Sequence, residues 1–156
     1  VSIISRGQAL GLTVQRPKED RYMMTKTQLI ARMAGAMGGH VAEKIIFEDV
    51  TTGARQDIDL VTEIARRMVC EFGMSDLGAI SFRRKDDGSA GDVWSDLLAA
   101  KIDQAIIDLV EQAYTTAYRI LTENKDKLVE IAEHLKRVET IDGPDLDRLL
   151  NLVPAA

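Results

Sequence analysis

Apolar positions recur at helical spacing along most of this chain, and only its beginning reads as strand. Between Val1 and Val14 two short β-like runs, 1–5 and 9–14, flank Arg6-Gly7-Gln8 and predict a hairpin. A lone hairpin is marginal in water, so it needs helices or further strands to lie on. A polar loop from Gln15 to Thr25, with Pro17 and the charged run Lys18 to Arg21, leads to them. From about Thr27 to Phe47 a helix presents Ile30, Met33, Ala34, Met37, Val41 and Ile45 as one stripe and Leu29, Ala36 and Phe47 as a second. A third face, Ala31, Gly35, Gly38, Gly39 and Ala42, is small enough for another helix or backbone to approach closely. Each internal glycine costs roughly 1 kcal/mol relative to alanine, which predicts that this helix is central and tightly packed.

A short acidic loop, Glu48-Asp49-Val50, leads to a second amphipathic helix within Thr51 to Met74, stopped by Gly73. Ala79 to Phe82 reads as a possible strand, followed by a polar turn at 83–91. The longest helix runs from about Ser95 to Glu123, with Leu98, Ile102, Leu109, Ala113, Ala117 and Ile120 at helical spacing. Asn124 is placed to cap a further helix through about Arg137, and Gly143-Pro144 opens a last short one carrying Leu146, Leu149 and Leu150. The fold class expected is mainly α, an N-terminal β-hairpin or small sheet followed by a bundle of about five helices. Residues 1–156 are expected as a single domain, with 94–153 as its helical tail, an antiparallel hairpin plus a turn or two.

One residue breaks the pattern. In the helix after Thr51, Asp57, Val61, Ile64, Met68 and Phe72 fall on one side, whereas Asp59, Thr62, Glu63, Arg66 and Arg67 share the other. Asp59 is thus an ordinary solvated acid. Asp57 heads an apolar stripe, where a bare carboxylate costs several kcal/mol or more unless paired, capped by backbone N–H groups or bound to a metal. The plain alternative is a first-turn acid favoured by the helix dipole.

Composition narrows the classes. The chain has 156 residues, 46% hydrophobic and 29% charged, enough for a real core. A net charge of −5, with Lys and Arg scattered among acids, argues against a nucleic-acid partner. Cys70 is the single cysteine, so no internal disulfide forms, and no apolar run approaches the ~18 residues of a membrane helix. No signal-like segment is present, and Val1 in place of Met reads as a cut within a longer protein.

Several segments together resemble the peptidase domain of FtsH-like ATP-dependent zinc metalloproteases. They are 1–11, Gly38-Gly-His-Val-Ala-Glu43, Thr52-Gly-Ala-Arg-Gln-Asp57-Ile, 65–69 with Gly73-Met-Ser75, the tail pattern from Tyr114 through Tyr118, Asn124 and Asp126 to Leu128, and Glu139-Thr-Ile-Asp142. The resemblance implies a zinc endopeptidase acting on unfolded polypeptide, fed by a hexameric ATPase ring that uses ATP and Mg. It also implies a membrane anchor outside this chain, with the peptidase on the cytoplasmic side or its organellar equivalent. In that family two histidines of a His-Glu-x-x-His helix and a distant aspartate hold the zinc. The aspartate carries over to Asp57, making 1–75 the metal-site half. The acid of the Ala-Glu motif carries over to Glu43, as a group that supports a ligand rather than binding metal.

This chain departs from the pattern at a decisive place. Its only histidines are His40 and His134, and it has no His-Glu-x-x-His segment, which in the family comes just before the opening strand. Two zinc ligands and the general base are therefore absent, so the fragment alone is expected to bind no metal and cleave no peptide. The absent helix is a candidate occupant of the groove over Gly35, Gly39 and Ala42. Ser5 stands where proline is usual before Arg-Gly, and the segments 73–78 and 83–92 are short.

Other residues read more plainly. Glu43 lies one turn from His40 and resembles a histidine's carboxylate partner, with Lys44 or Arg32 as the ordinary alternative. His40 is expected as a satisfied helix histidine, His134 as solvent-facing, and Cys70 as a small packed side chain. In zinc proteases the substrate backbone adds as a strand beside the metal, which marks Ile3, Ile4, Ser5, Arg6 and Gly7 as a possible substrate strand; a strand covered by the chain itself is the alternative. The competing function class is a non-catalytic helical oligomerisation module, a degenerate paralogue or a structural subdomain.

Overall fold

Helix α1, Lys26–Phe47, starts where Thr25 and Gln28 cap each other: Gln28 N donates to Thr25 Oγ1 at 3.3 Å and Thr25 N to Gln28 Oε1 at 3.0 Å. The structure, a computed structural model, describes residues 1–5, 11–13, 23–82 and 94–150. Its α-helices are α1, α2 (Arg55–Cys70), α3 (Asp96–Glu123), α4 (Lys125–Val138) and α5 (Gly143–Leu149). They divide between two compact units, one formed by residues 23–122 and one by the chain's start with residues from Glu123 onward. Among the described residues the chain is mainly α, with no strand and no helix long and apolar enough to cross a membrane.

In the larger unit, α1 buries Leu29, Met33, Ala34, Met37 and Val41, the face given by its first apolar stripe and Leu29. Val61, Ile64, Ala65, Met68 and Val69 of α2 join it, as do Ile102, Leu109, Ala113 and Ala117 of α3, in one core. Burial of this kind contributes about 25 cal/mol per Å² of apolar surface. Three members of the sequence-derived stripes do not join: Phe47 is 72% exposed at the end of α1, Ile120 lies at the surface, and Phe72 is exposed past the end of α2.

The glycine face of α1 is a correction. Ala31, Gly35, Gly39 and Ala42 lie opposite the buried stripe by helical count, and a Cβ on Gly35, Gly38 or Gly39 would meet nothing within 4 Å. A helix buries one broad stripe against its neighbours, and α1 uses that of Met33 and Val41. No close-packed partner covers the small residues among the described ones.

Helix α2 ends at Cys70, and the chain leaves through Gly73 at φ +60°, with Met74 N donating to Met68 O at 2.8 Å. A Cβ on Gly73 would stand 3.0 Å from Ala79 Cα. Phe72, placed on the apolar stripe by helical count, lies beyond the helix, with the Arg67 guanidinium 5.1 Å from its ring centre. The strand expected at 79–82 does not form. The unpaired carbonyl of Cys70 at the helix end takes the Phe82 N–H at 2.8 Å, leaving no ladder to extend. The expected turn at 83–91 lies outside the described residues.

Phe82 is buried and meets Trp94 edge-on, 5.4 Å between ring centres. Beside them Cys70, Ile102, Arg66 and Asp103 line an open cleft of about 400 Å³. Burial pushes the Cys70 thiol above its ordinary range, against the opposing pull of Arg66.

In the smaller unit the expected hairpin reduces to single bridges. Ser2 exchanges two hydrogen bonds with Leu12, at 2.9 and 2.8 Å, and also bridges to Thr140. Ile3 N donates to Glu139 O and Ile141 N to Val1 O, so pairing is shared among three short segments and no strand grows. Ile141 is buried there at 2% exposure. Asn124 stands at the head of α4 without a capping side-chain bond, whereas Asp142 caps α5 by accepting from Asp145 N at 2.8 Å.

Two outcomes follow for the chain in urea denaturation. Gly39→Ala raises stability by roughly 0.5–1 kcal/mol, since it adds helix propensity in open space, and Gly73→Ala lowers it by about 1 kcal/mol or more. A destabilising Gly39→Ala contradicts the open face. For Cys70, the rate of maleimide labelling in the folded chain rises at higher pH than for the same cysteine in the urea-unfolded chain, and folded-chain labelling at pH 7 as fast as in the unfolded chain contradicts the burial.

Candidate metal centre

Helix α1 ends at Glu48, whose left-handed conformation (φ 57°) turns the chain back, with Lys44 Nζ donating to Glu48 O at 3.1 Å. After Val50, Thr51 caps a 3-10 turn, Thr52–Ala54, by accepting from Gly53 N at 3.2 Å. That turn runs straight into α2: Arg55 N donates to Thr52 O, and Ala54 is buried. Ala54 is therefore the N-cap of α2 and has no side chain to cap it with.

Asp57 is the third residue of α2, half-buried, at the head of the face that carries Val61, Ile64 and Met68. An acid at this position ordinarily reaches back to the N-cap N–H or pairs with a cation. Asp57 does neither among the described residues, whereas Asp59 is exposed and pairs with Arg55 at 3.9 Å. The carboxylate oxygens of Asp57 are thus uncommitted. A carboxylate oxygen is a normal zinc ligand, so Asp57 fits such an ion as a single donor. No group of three or more His, Cys, Asp or Glu that could hold a metal occurs among the described residues.

Glu43 lies on α1 and engages Thr51. Its Oε2 accepts from Thr51 N at 2.8 Å, and its Oε1 accepts from the Thr51 hydroxyl at 2.9 Å. It bonds neither Lys44 nor Arg32, the ordinary alternatives, and it does not bond His40. His40 is not the satisfied histidine expected: its Nδ1 is buried without a hydrogen-bond partner, and its ring meets Tyr114 edge-on at 6.3 Å. Tyr114 in turn stacks on Tyr118 along α3. His134 is half-buried on α4 rather than solvent-facing. Thr51 is the residue that sequence reasoning missed, although a threonine two residues before glycine at a helix start is a capping signal.

The cleft beside Cys70 is not part of this site. It lies at the opposite end of α2, 13 residues from Asp57 by number and so ~20 Å along the helix axis. In the smaller unit, Ile3, Ile4 and Ser5 are exposed, but Ile3 N is held by Glu139 O and Ile4 N by Ser2 Oγ at 3.3 Å. Arg6 and Gly7 lie outside the described residues.

The chain is 44% identical over 160 aligned residues to the ATP-dependent zinc metalloprotease FtsH of Bacillus subtilis, covering 97% of this chain and 25% of that protein. It is 43% identical over 158 to the ATP-dependent zinc metalloprotease FtsH of Rubrobacter xylanophilus, covering 96% and 24%. A more divergent relative, ATP-dependent zinc metalloprotease FtsH 1 of Bdellovibrio bacteriovorus, is 38% identical over 97% of this chain. The chain spans about a quarter of the length of these relatives. The family model for peptidase family M41 matches residues 1–149, nearly the whole sequence and both units. The uncommitted Asp57 thus stands in a chain that belongs to peptidase family M41.

Proposed function

We propose that this chain is part of the peptidase portion of an ATP-dependent zinc metalloendopeptidase that degrades unfolded or membrane proteins, with Asp57 as one ligand to its zinc. The observation that carries the reading is the Asp57 carboxylate, held on the core-facing side of α2 and left without hydrogen bond or ion pair among the described residues. Membership of peptidase family M41 and the zinc metalloprotease activity of the relatives support it. Zinc, when bound, supplies a Lewis acid that polarises the scissile carbonyl. The chain's own part is to present one negative oxygen donor from a buried scaffold. Two histidine ligands and the general-base glutamate come, in this reading, from a His-Glu-x-x-His segment outside the chain. Glu43 supports the ligand without binding metal.

The wider assembly belongs to the same proposal. The intact protein works as a membrane-anchored homo-hexamer whose ATPase, using ATP and Mg, delivers polypeptide to a peptidase on the cytoplasmic side or its organellar equivalent. In this proposal the segment from Ile3 to Gly7 pairs with the substrate backbone. Since Ser2 is bridged on both sides and the Ile3 and Ile4 N–H groups are already held, the N–H groups offered to substrate begin no earlier than Ser5.

The test is Asp57→Asn in the full-length protein. Zinc content by atomic absorption and casein cleavage both fall, with zinc binding weakened at least ~100-fold, since a first ligand matters no less than its supports. Unchanged zinc content and unchanged cleavage contradict the ligand assignment.

A further inference from the structure

We infer that Thr51 is a positioning residue for the metal ligand, gripped by Glu43 so that the start of α2 holds Asp57 in place. The inference rests on Asp57 being a zinc ligand and assigns the means by which Glu43 acts on it. Glu43 spends both carboxylate oxygens on one residue, accepting from the backbone N–H of Thr51 at 2.8 Å and from its hydroxyl at 2.9 Å. An ionised carboxylate only accepts, so the hydroxyl proton points to Glu43 and the hydroxyl lone pair faces Gly53 N at 3.2 Å. The order Glu43, Thr51, Gly53 is therefore a directed chain of hydrogen bonds from α1 into the turn that becomes α2.

Three features make this chain the controlling contact. Helix α2 has no capping side chain of its own, because Ala54 occupies its N-cap, so the direction of its first turn is set upstream. Glu43 projects from a helix whose Met37 and Val41 are in the core, so the grip is fixed to a rigid element. Gly53 leaves just enough room: a Cβ there would stand 3.2 Å from Thr51 Oγ1 and 3.9 Å from Glu43 Oε1. The hydroxyl cannot retreat without lengthening one of its two bonds. Asp57 follows six residues after Thr51 and bonds to nothing among the described residues that would orient it otherwise. Glu43 thus acts on the ligand with no contact to it, and the serine or threonine hydroxyl at position 51 is what transmits the constraint.

The experiment uses the full-length protein, stripped of zinc and retitrated against a chromophoric chelator, with Thr51→Val, Thr51→Ser, Gly53→Ala, Glu43→Gln and Asp57→Asn. Thr51→Val keeps the shape and loses the hydroxyl; zinc affinity falls about 10–100-fold with Tm nearly unchanged, and Thr51→Ser restores it. Gly53→Ala and Glu43→Gln weaken zinc similarly, reaching the same contact from its other two sides and covering the case in which Thr51→Val fails to fold. In the zinc-free protein the Gly53 amide exchanges hydrogen faster in Thr51→Val than in Thr51→Ser, a readout independent of metal and activity. If Asp57→Asn abolishes zinc binding while Thr51→Val, Gly53→Ala and Glu43→Gln bind it within twofold of wild type, the positioning role is overturned and the ligand reading stands. If Asp57→Asn binds zinc normally, the ligand reading falls and takes the positioning role with it.

Discussion

The burial of α2 against α1 and α3 is the constraint on which the candidate site depends. Met33 and Val41 of α1 and Val61, Met68 and Val69 of α2 are fully removed from solvent in one cluster. Close-packed side chains of this kind leave a helix little freedom to rotate about its axis. Once Val61, Ile64 and Met68 face inward, Asp57, at the same helical phase, has to sit at the head of that face. Its half-buried, uncommitted carboxylate is a consequence of core packing one and two turns away. Truncating Met68 would therefore disturb the site as well as the core.

The core fixes rotation, and the polar contacts at the start of α2 fix direction. Ala54 contributes burial and no cap, and Thr51, held by Glu43, takes that role one turn earlier. Lys44 on the Glu48 carbonyl closes α1 next to this turn. The chain thereby presents one oxygen donor from a supported position and brings no further donors to it among the described residues. The chain covers a quarter of its relatives' length and has no His-Glu-x-x-His segment, so the proposed metal centre would draw only one donor from it.

Much of this was legible in the sequence because helical periodicity records which face of a helix is buried. Asp57 stood out by phase alone, and the stripes of α1, α2 and α3 named most of the core. Periodicity does not record what lies opposite. The glycines of α1 read as a close-packed face yet look onto open space, and Phe47 and Ile120, in phase with apolar neighbours, lie past the ends of the packed region. Short β-like runs failed for a different reason. Ser2 finds partners at Leu12 and Thr140, and Phe82 finds the carbonyl of Cys70, so tertiary hydrogen bonding divides what local propensity would have made into strands. Thr51 escaped because its role depends on Glu43, eight residues away and on another helix. The family resemblance supplied what phase could not, the proposal that Asp57 serves as a zinc ligand.

The most direct test of Asp57 as a ligand is crystallographic, an anomalous difference map at the zinc absorption edge from the zinc-loaded, full-length protein. A zinc peak about 2.0–2.2 Å from an Asp57 carboxylate oxygen is the expected result. A zinc ion fully coordinated by other side chains, with Asp57 well outside bonding distance, would contradict it.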